Sequence, residues 1–228
     1  MNIKEENKDF FWAMIFGIKP ECAKNDLEKT KYICAKTAYL DVCRTIKFLI
    51  NATTLEKEKN SEPIKDYVKL KNKFREDISN FIVEKINILF KEPTPNFNDW
   101  HDETCEKIIC TAKNEFKGLF KKENEETLFF YGQAQKWVNI TLKNMLVMEL
   151  WDKDFEKIRN CLHVPIDNVI LKPIKCDLGI SFSVKSWSRW NSCEYKKLQV
   201  DIRDKLKNKS PIDWEYEKWS EETVAQKE

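Results

Sequence analysis

The chain has 228 residues, of which 42% are hydrophobic and 34% charged, with eight Trp and fourteen Phe. That apolar share excludes a disordered chain and suffices for one large core. Four glycines are too few for the turns of a β-sandwich or barrel, and a net charge of +2 excludes a generally polycationic nucleic-acid binder.

No run approaches the roughly 20 apolar residues of a membrane span. The start, MNIKEENKDFFWAMIFG, has mixed charge, a short apolar run and no small-residue cleavage site, so a cytoplasmic protein is expected. Eight cysteines without a CxxC argue against a disulfide framework in that compartment. Cys105 and Cys110 in CEKIIC are the closest pair, wider than zinc sites use. Cys34, Cys43 and Cys110 are expected to fill helix cores as small hydrophobes. No metal or cofactor is called for.

In chain order, residues 8–18 read as a short buried helix or an anchor, ending near Gly17 and Pro20. Asn25 or Asp26 is placed to cap a helix running to about Ile50, with Tyr39, Val42, Cys43 and Ile46 on its apolar face. Polar residues 51–63 read as an exposed loop. A long helix follows over 64–90, with Phe74, Ile78, Phe81, Ile82, Ile86 and Leu89 along one side. Pro93 and Pro95 block its continuation. Asp99 or Asp102 then caps a helix to about Phe120, and KKENEE (121–126) is a charged connector.

Residues 134–151 are apolar on most sides, which predicts a central helix packed all round. Ser210 and Pro211 mark the start of a last helix. The run ISFSV predicts a minor β element near 180–184. The fold class is therefore all-α, a single helical domain over 1–228 in two lobes, 1–126 and 127–228.

Charge is uneven. Residues 131–209 hold 15 basic and 9 acidic side chains, and residues 210–228 hold 2 and 6. From Lys172 onward bases alternate with aromatics, among them Lys172, Lys185, Arg189, Trp187, Trp190 and Tyr195. Such interleaving suits phosphate contacts and base stacking. A solvated helix face with its aromatics turned to the core has the same pattern.

Two short segments stand out, YGQAQKWVN (131–139) and LHVPIDNVIL (162–171). In the first, Lys136 lies in the opening turn of an apolar helix, where the macrodipole and the surroundings disfavour an ammonium and favour the free amine a nucleophile needs. In the second, Asp167 follows Pro165 between apolar runs, where a carboxylate needs a partner or a helix to cap. Taken singly, Lys136 reads as a solvated first-turn residue and Asp167 as a plain N-cap.

Gly132, Lys136 and VPID at 164–167 together resemble the catalytic core of the helix-hairpin-helix DNA glycosylases, in particular the 8-oxoguanine DNA glycosylase branch. The resemblance covers about 40 residues. It implies that Lys136 attacks the sugar C1′ and forms a Schiff base, and that Asp167 is its acid/base partner. The family hairpin usually carries two glycines. Here Ala134 stands at the second small position, and the lysine-to-aspartate spacing is 31 residues.

The resemblance further implies damaged or modified DNA as partner and a pocket for a flipped base. Phe130, Trp137, Trp187 and Trp190 are candidates to line that pocket. Gly132, Gln133, Gln135, His163, Lys172, Lys185 and Arg189 are candidates to contact nucleic acid. The alternative from a different class is a non-catalytic helical interaction or regulatory protein with a protein partner. A ribonuclease-type toxin has only His101 to suggest it.

Overall fold

The computed structural model describes residues 5–51, 54–55, 61–182 and 185–225. It is all-α, with one two-stranded hairpin. Helix α1 (Glu5–Phe16) stops where Gly17 turns to φ +65, as the sequence predicts. It is not a buried helix, because Phe10, Phe11, Met14 and Ile15 are exposed. Phe16 and Ile18, at its end, enter the core, and the partly buried Trp12 packs against it.

After the short α2 (Pro20–Asn25), Asp26 caps α3 (Leu27–Cys43), accepting from the Lys29 N–H at 3.0 Å. Helix α3 ends well short of Ile50. The Thr45 hydroxyl donates to the Val42 carbonyl, and the following residues pair with a distant segment. Phe48 bridges Phe120, and the Lys121 N–H donates to the Lys47 carbonyl at 2.8 Å.

Helix α4 (Glu62–Lys91) buries Phe74, Ile78, Ile82, Ile86 and Leu89, one stripe of a 30-residue helix. Helix α5 (Phe97–Asn114) is capped by Asn96 rather than by Asp99 or Asp102, because Phe97 and Trp100 are already buried against the core. The Trp100 indole N–H ties it to α4 through the Lys85 carbonyl at 2.8 Å. It ends before Phe120, where a tight turn at Lys117–Leu119 takes over.

The predicted charged connector is the hairpin of β1 (Lys122–Glu123) and β2 (Glu126–Thr127), turning through Asn124 and Glu125 at positive φ. Two such residues between paired strands favour a tight hairpin turn. Residues 180–182 form no strand, and 183–184 lie outside the described residues. The β element therefore sits elsewhere than the ISFSV run suggests.

Helix α6 (Tyr131–Met148) is the axis of the molecule, with fourteen of its eighteen residues buried. Helix α3 lies along it, and the Trp137 indole N–H reaches across to the Ala35 carbonyl at 2.8 Å. Phe74 gathers Phe116, Phe120, Phe129 and Trp137 with ring centroids 5.2 to 5.8 Å away, mostly edge-to-face.

Beyond α6 come α7 (Asp152–Glu156), an extended stretch at 162–166, α8 (Asn168–Cys176), α9 (Ser192–Leu206) and α10 (Pro211–Ala225). One continuous apolar cluster runs from Phe16 to Trp214. No described helix is long and apolar enough to cross a membrane. Cys34 and Cys105 are buried and Cys43 half-buried, whereas Cys110 is exposed and fills no core.

Candidate active site

Lys136 and Asp167 meet. The Lys136 Nζ lies 3.2 Å from Asp167 Oδ2, with the two side chains 8% and 15% exposed. Asp167 is also the N-cap of α8, its Oδ1 accepting from the Val169 and Ile170 N–H groups at 2.9 and 3.1 Å. One oxygen thus holds a helix start while the other holds the ammonium. The Trp187 ring centroid lies 4.9 Å from Nζ, a cation–π contact. Because α6 begins at Tyr131, Lys136 stands in its second turn rather than its first.

Seven residues along the same face of α6, the Lys143 Nζ lies 2.8 Å from the carboxylate of Glu215 on α10, which is 1% exposed. The Tyr216 and Trp219 rings lie 4.9 and 5.0 Å from that ammonium. Burial pushes the Glu215 carboxyl above the ordinary carboxylate range, and Lys143 pulls it back. Asp167 and Lys136 also act on it, so the two pairs feel one another. Neither Glu215 nor the rings of α10 stand out in the sequence. Their only local signal is a carboxylate inside an aromatic run, DWEYEKW.

The other predicted residues are placed as follows. Gly132 abuts the protein itself. Its N–H donates to the Trp190 carbonyl at 3.0 Å, and a Cβ there would stand 1.9 Å from the Trp187 carbonyl oxygen. Gln133 completes the cap of α6 on the Phe130 N–H and donates to the Thr45 carbonyl. Gln135 is fully buried and donates to the Gly132 and Ile166 carbonyls.

Trp137 and Trp190 are core residues, and the Trp190 indole N–H donates to the Lys185 carbonyl at 3.1 Å. Trp187 is buried over Lys136. Phe130 is half-buried beneath the Arg189 guanidinium at 5.4 Å, and Arg189 also pairs with Glu123. Lys172 and Lys185 are exposed and lie 2.7 and 3.7 Å from Glu222 and Glu194.

The two histidines of the chain, 62 positions apart, come together at a ring-centroid distance of 4.5 Å. The His163 Nδ1 lies 2.9 Å from the Tyr195 hydroxyl, and its Nε2 lies 3.0 Å from Asn98 Oδ1. The His101 Nε2 lies 3.1 Å from Asn139 Oδ1. Asn139 donates to the Tyr195 oxygen and to Gln135 Oε1 at 2.8 and 2.9 Å. Both carboxamide oxygens accept, so each Nε2 carries the proton and Tyr195 donates to His163 Nδ1. Burial lowers both histidines, His101 to about 3. His163 is therefore an internal link and not a surface contact. Among the described residues no group of three or more His, Cys, Asp or Glu is placed to hold a metal ion.

Compared with protein-family models, curated proteins and solved structures, the chain finds no match.

Proposed function

We propose that this protein is a DNA N-glycosylase that uses Lys136 as nucleophile on a modified purine such as 8-oxoguanine, with strand incision as a second activity. The observation that carries this reading is the Lys136–Asp167 contact at 3.2 Å. Asp167 Oδ2 is within reach to take a proton from the ammonium, leaving a neutral amine. The amine forms a bond to C1′ as the glycosidic bond breaks, and the base leaves with the electron pair and takes up a proton. The sugar ring then opens, its O4′ is protonated, and C1′ is left doubly bonded to the lysine nitrogen. Loss of a proton at C2′ with departure of the 3′ phosphate gives the nicked strand. Asp167 hands the proton it took from the lysine to the departing base, and the carboxylate so restored stabilises positive charge developing at the sugar.

A flipped purine needs ring faces to stack on and polar groups at its edge. The Tyr216 and Trp219 rings and the Lys143–Glu215 pair are groups of these kinds on the same face of α6, but both rings face the Lys143 ammonium and Glu215 is 1% exposed, so they must part to admit a base.

The test is borohydride trapping on a duplex carrying 8-oxoguanine, wild type beside Lys136→Gln. A covalent adduct in the wild type and none in the variant is expected. A folded wild type that gives neither adduct nor free base overturns the reading.

One observation favours the non-catalytic alternative. The Lys143–Glu215 pair repeats the Lys136–Asp167 arrangement with a more deeply buried carboxylate, as a purely structural helix-joining device would. Under that reading Lys136→Gln and Lys143→Gln lose stability alike, and the protein has no affinity for DNA.

A further inference from the structure

We propose that a basic cleft beside the start of α6 seats the phosphodiester backbone of a nucleic-acid strand. The cleft encloses about 590 Å³. Four separate stretches build it: the chain just after α3, residues 121–123 at the first strand of the hairpin, residues 128–133 at the start of α6, and the turn at 186–189. Four cations line it, Lys47, Lys121, Lys122 and Arg189, against one carboxylate, Glu123.

The backbones of Lys47 and Lys121 are tied together by the 2.8 Å hydrogen bond between them, which fixes the two lysines at one wall. Among the described residues no carboxylate lies within ion-pair distance of either. Lys122 stands 4.0 Å from Glu125, itself almost fully exposed, a pair that contributes little in water. The charge of this wall is thus largely uncompensated.

The remaining lining is not that of a generic basic surface. The Ser186 and Ser188 hydroxyls lie 3.0 Å apart and offer donors to phosphate oxygens. The half-buried Phe130 ring under Arg189 makes a planar floor, the combination on which single bases stack. Trp187, between the two serines, covers the Lys136 ammonium. The serines thus flank the residue that separates the cleft from the Lys136–Asp167 pair. In preferring a strand to a free phosphate, the proposal rests on the reading of the preceding subsection.

The experiment is fluorescence anisotropy with a labelled duplex carrying 8-oxoguanine, over a salt series. Three full-length variants are compared with wild type: Lys47→Glu with Lys121→Glu, Glu123→Gln, and Lys24→Glu with Lys29→Glu. The last makes the same charge change about 25 Å away, at the other end of α3. The cleft double variant is expected to bind at least about tenfold more weakly and to lower the slope of log K against log salt by about two. Glu123→Gln is expected to bind more tightly, and the distant variant like wild type.

Equal weakening by the cleft and distant variants overturns the proposal, as does weaker binding by Glu123→Gln. So does wild-type protein without DNA affinity, or wild-type protein that takes polyglutamate as tightly as DNA. Cleft-dependent binding with neither a borohydride adduct nor free base would sink the glycosylase reading and leave the cleft standing. An adduct with cleft-independent binding would do the reverse.

Discussion

Gly132 is the residue at which the chain has the least freedom. The atom that a Cβ would meet at 1.9 Å is the backbone oxygen of Trp187, and the Trp187 carbonyl carbon follows at 2.9 Å. A flexible side chain could swing away, but this turn is fixed by the Gly132 N–H on Trp190 and the Trp190 indole on Lys185. Gly132→Ala should therefore destabilise by about 3 kcal/mol, the upper part of the overpacking range. A urea unfolding midpoint equal to wild type would show that the turn does not pack there. Asp167 separates structure from chemistry in a similar way. Asp167→Asn keeps an oxygen for the cap of α8 but loses the charge beside Lys136, whereas Asp167→Ala loses both. The alanine variant should be less stable than the asparagine variant by about 1 kcal/mol, the worth of a cap. Both should fail to form the borohydride adduct. An asparagine variant that traps DNA at the wild-type rate would remove Asp167 from the reaction.

The extended stretch before α8 has no sheet partner, and two glutamine side chains take that place. Gln199 on α9 accepts from the Val164 N–H at 3.0 Å and donates to its carbonyl at 2.8 Å. Two residues on, Gln135 on α6 meets the Ile166 carbonyl and N–H at 3.3 and 3.5 Å. The segment that delivers Asp167 is thus fixed from two helices. Gln199→Leu leaves a buried N–H and C=O without partners and should destabilise by about 2–3 kcal/mol. Thermal unfolding of that variant at the wild-type midpoint would mean that water replaces the amide. These pairings also mark what a sequence can and cannot tell. The apolar stripe of α4, the Asp26 cap and the Gly17 stop rest on neighbours three or four residues away and are legible. So are Lys136 and Asp167, each flagged by its own short segment. The early end of α3 is not legible, because it depends on Phe120 and Lys121, more than seventy residues on. The same holds for Glu215, Trp219 and Gln199, which acquire meaning only when α9 and α10 fold back onto α6. In α1 the composition misleads, since its apolar residues are exposed.

At the scale of the whole molecule, the two histidines couple stability to pH. Both are buried, at 0% and 4% exposure, and neutral, and their ring nitrogens bond to the uncharged side chains of Asn139, Tyr195 and Asn98, the last of which also accepts from the Arg203 guanidinium at 3.1 Å. Burial is the first cause of both lowered values. Arg203 presses the same way on each, and His101 adds to the effect on His163, while Asp102 and Asn139 oppose it at His101. A histidine held below its unfolded value of about 6.5 binds fewer protons folded than unfolded. Its contribution is therefore fully present above about pH 7 and is lost as pH falls. By pH 5 the loss at His101 is about 2 kcal/mol, and His163 adds to it in the same direction, against the 5–15 kcal/mol that holds a typical domain together. Glu215 works in the opposite sense, since its raised carboxyl takes up a proton in the folded state first, but it is one group against two. Urea titrations at pH 7.5, 6 and 5 should show stability falling steadily across the series. In a His101→Asn, His163→Gln variant the fall should largely disappear. A wild-type stability unchanged down to pH 5 would mean that the two rings gain protons in the folded state, and so that the network opens to solvent.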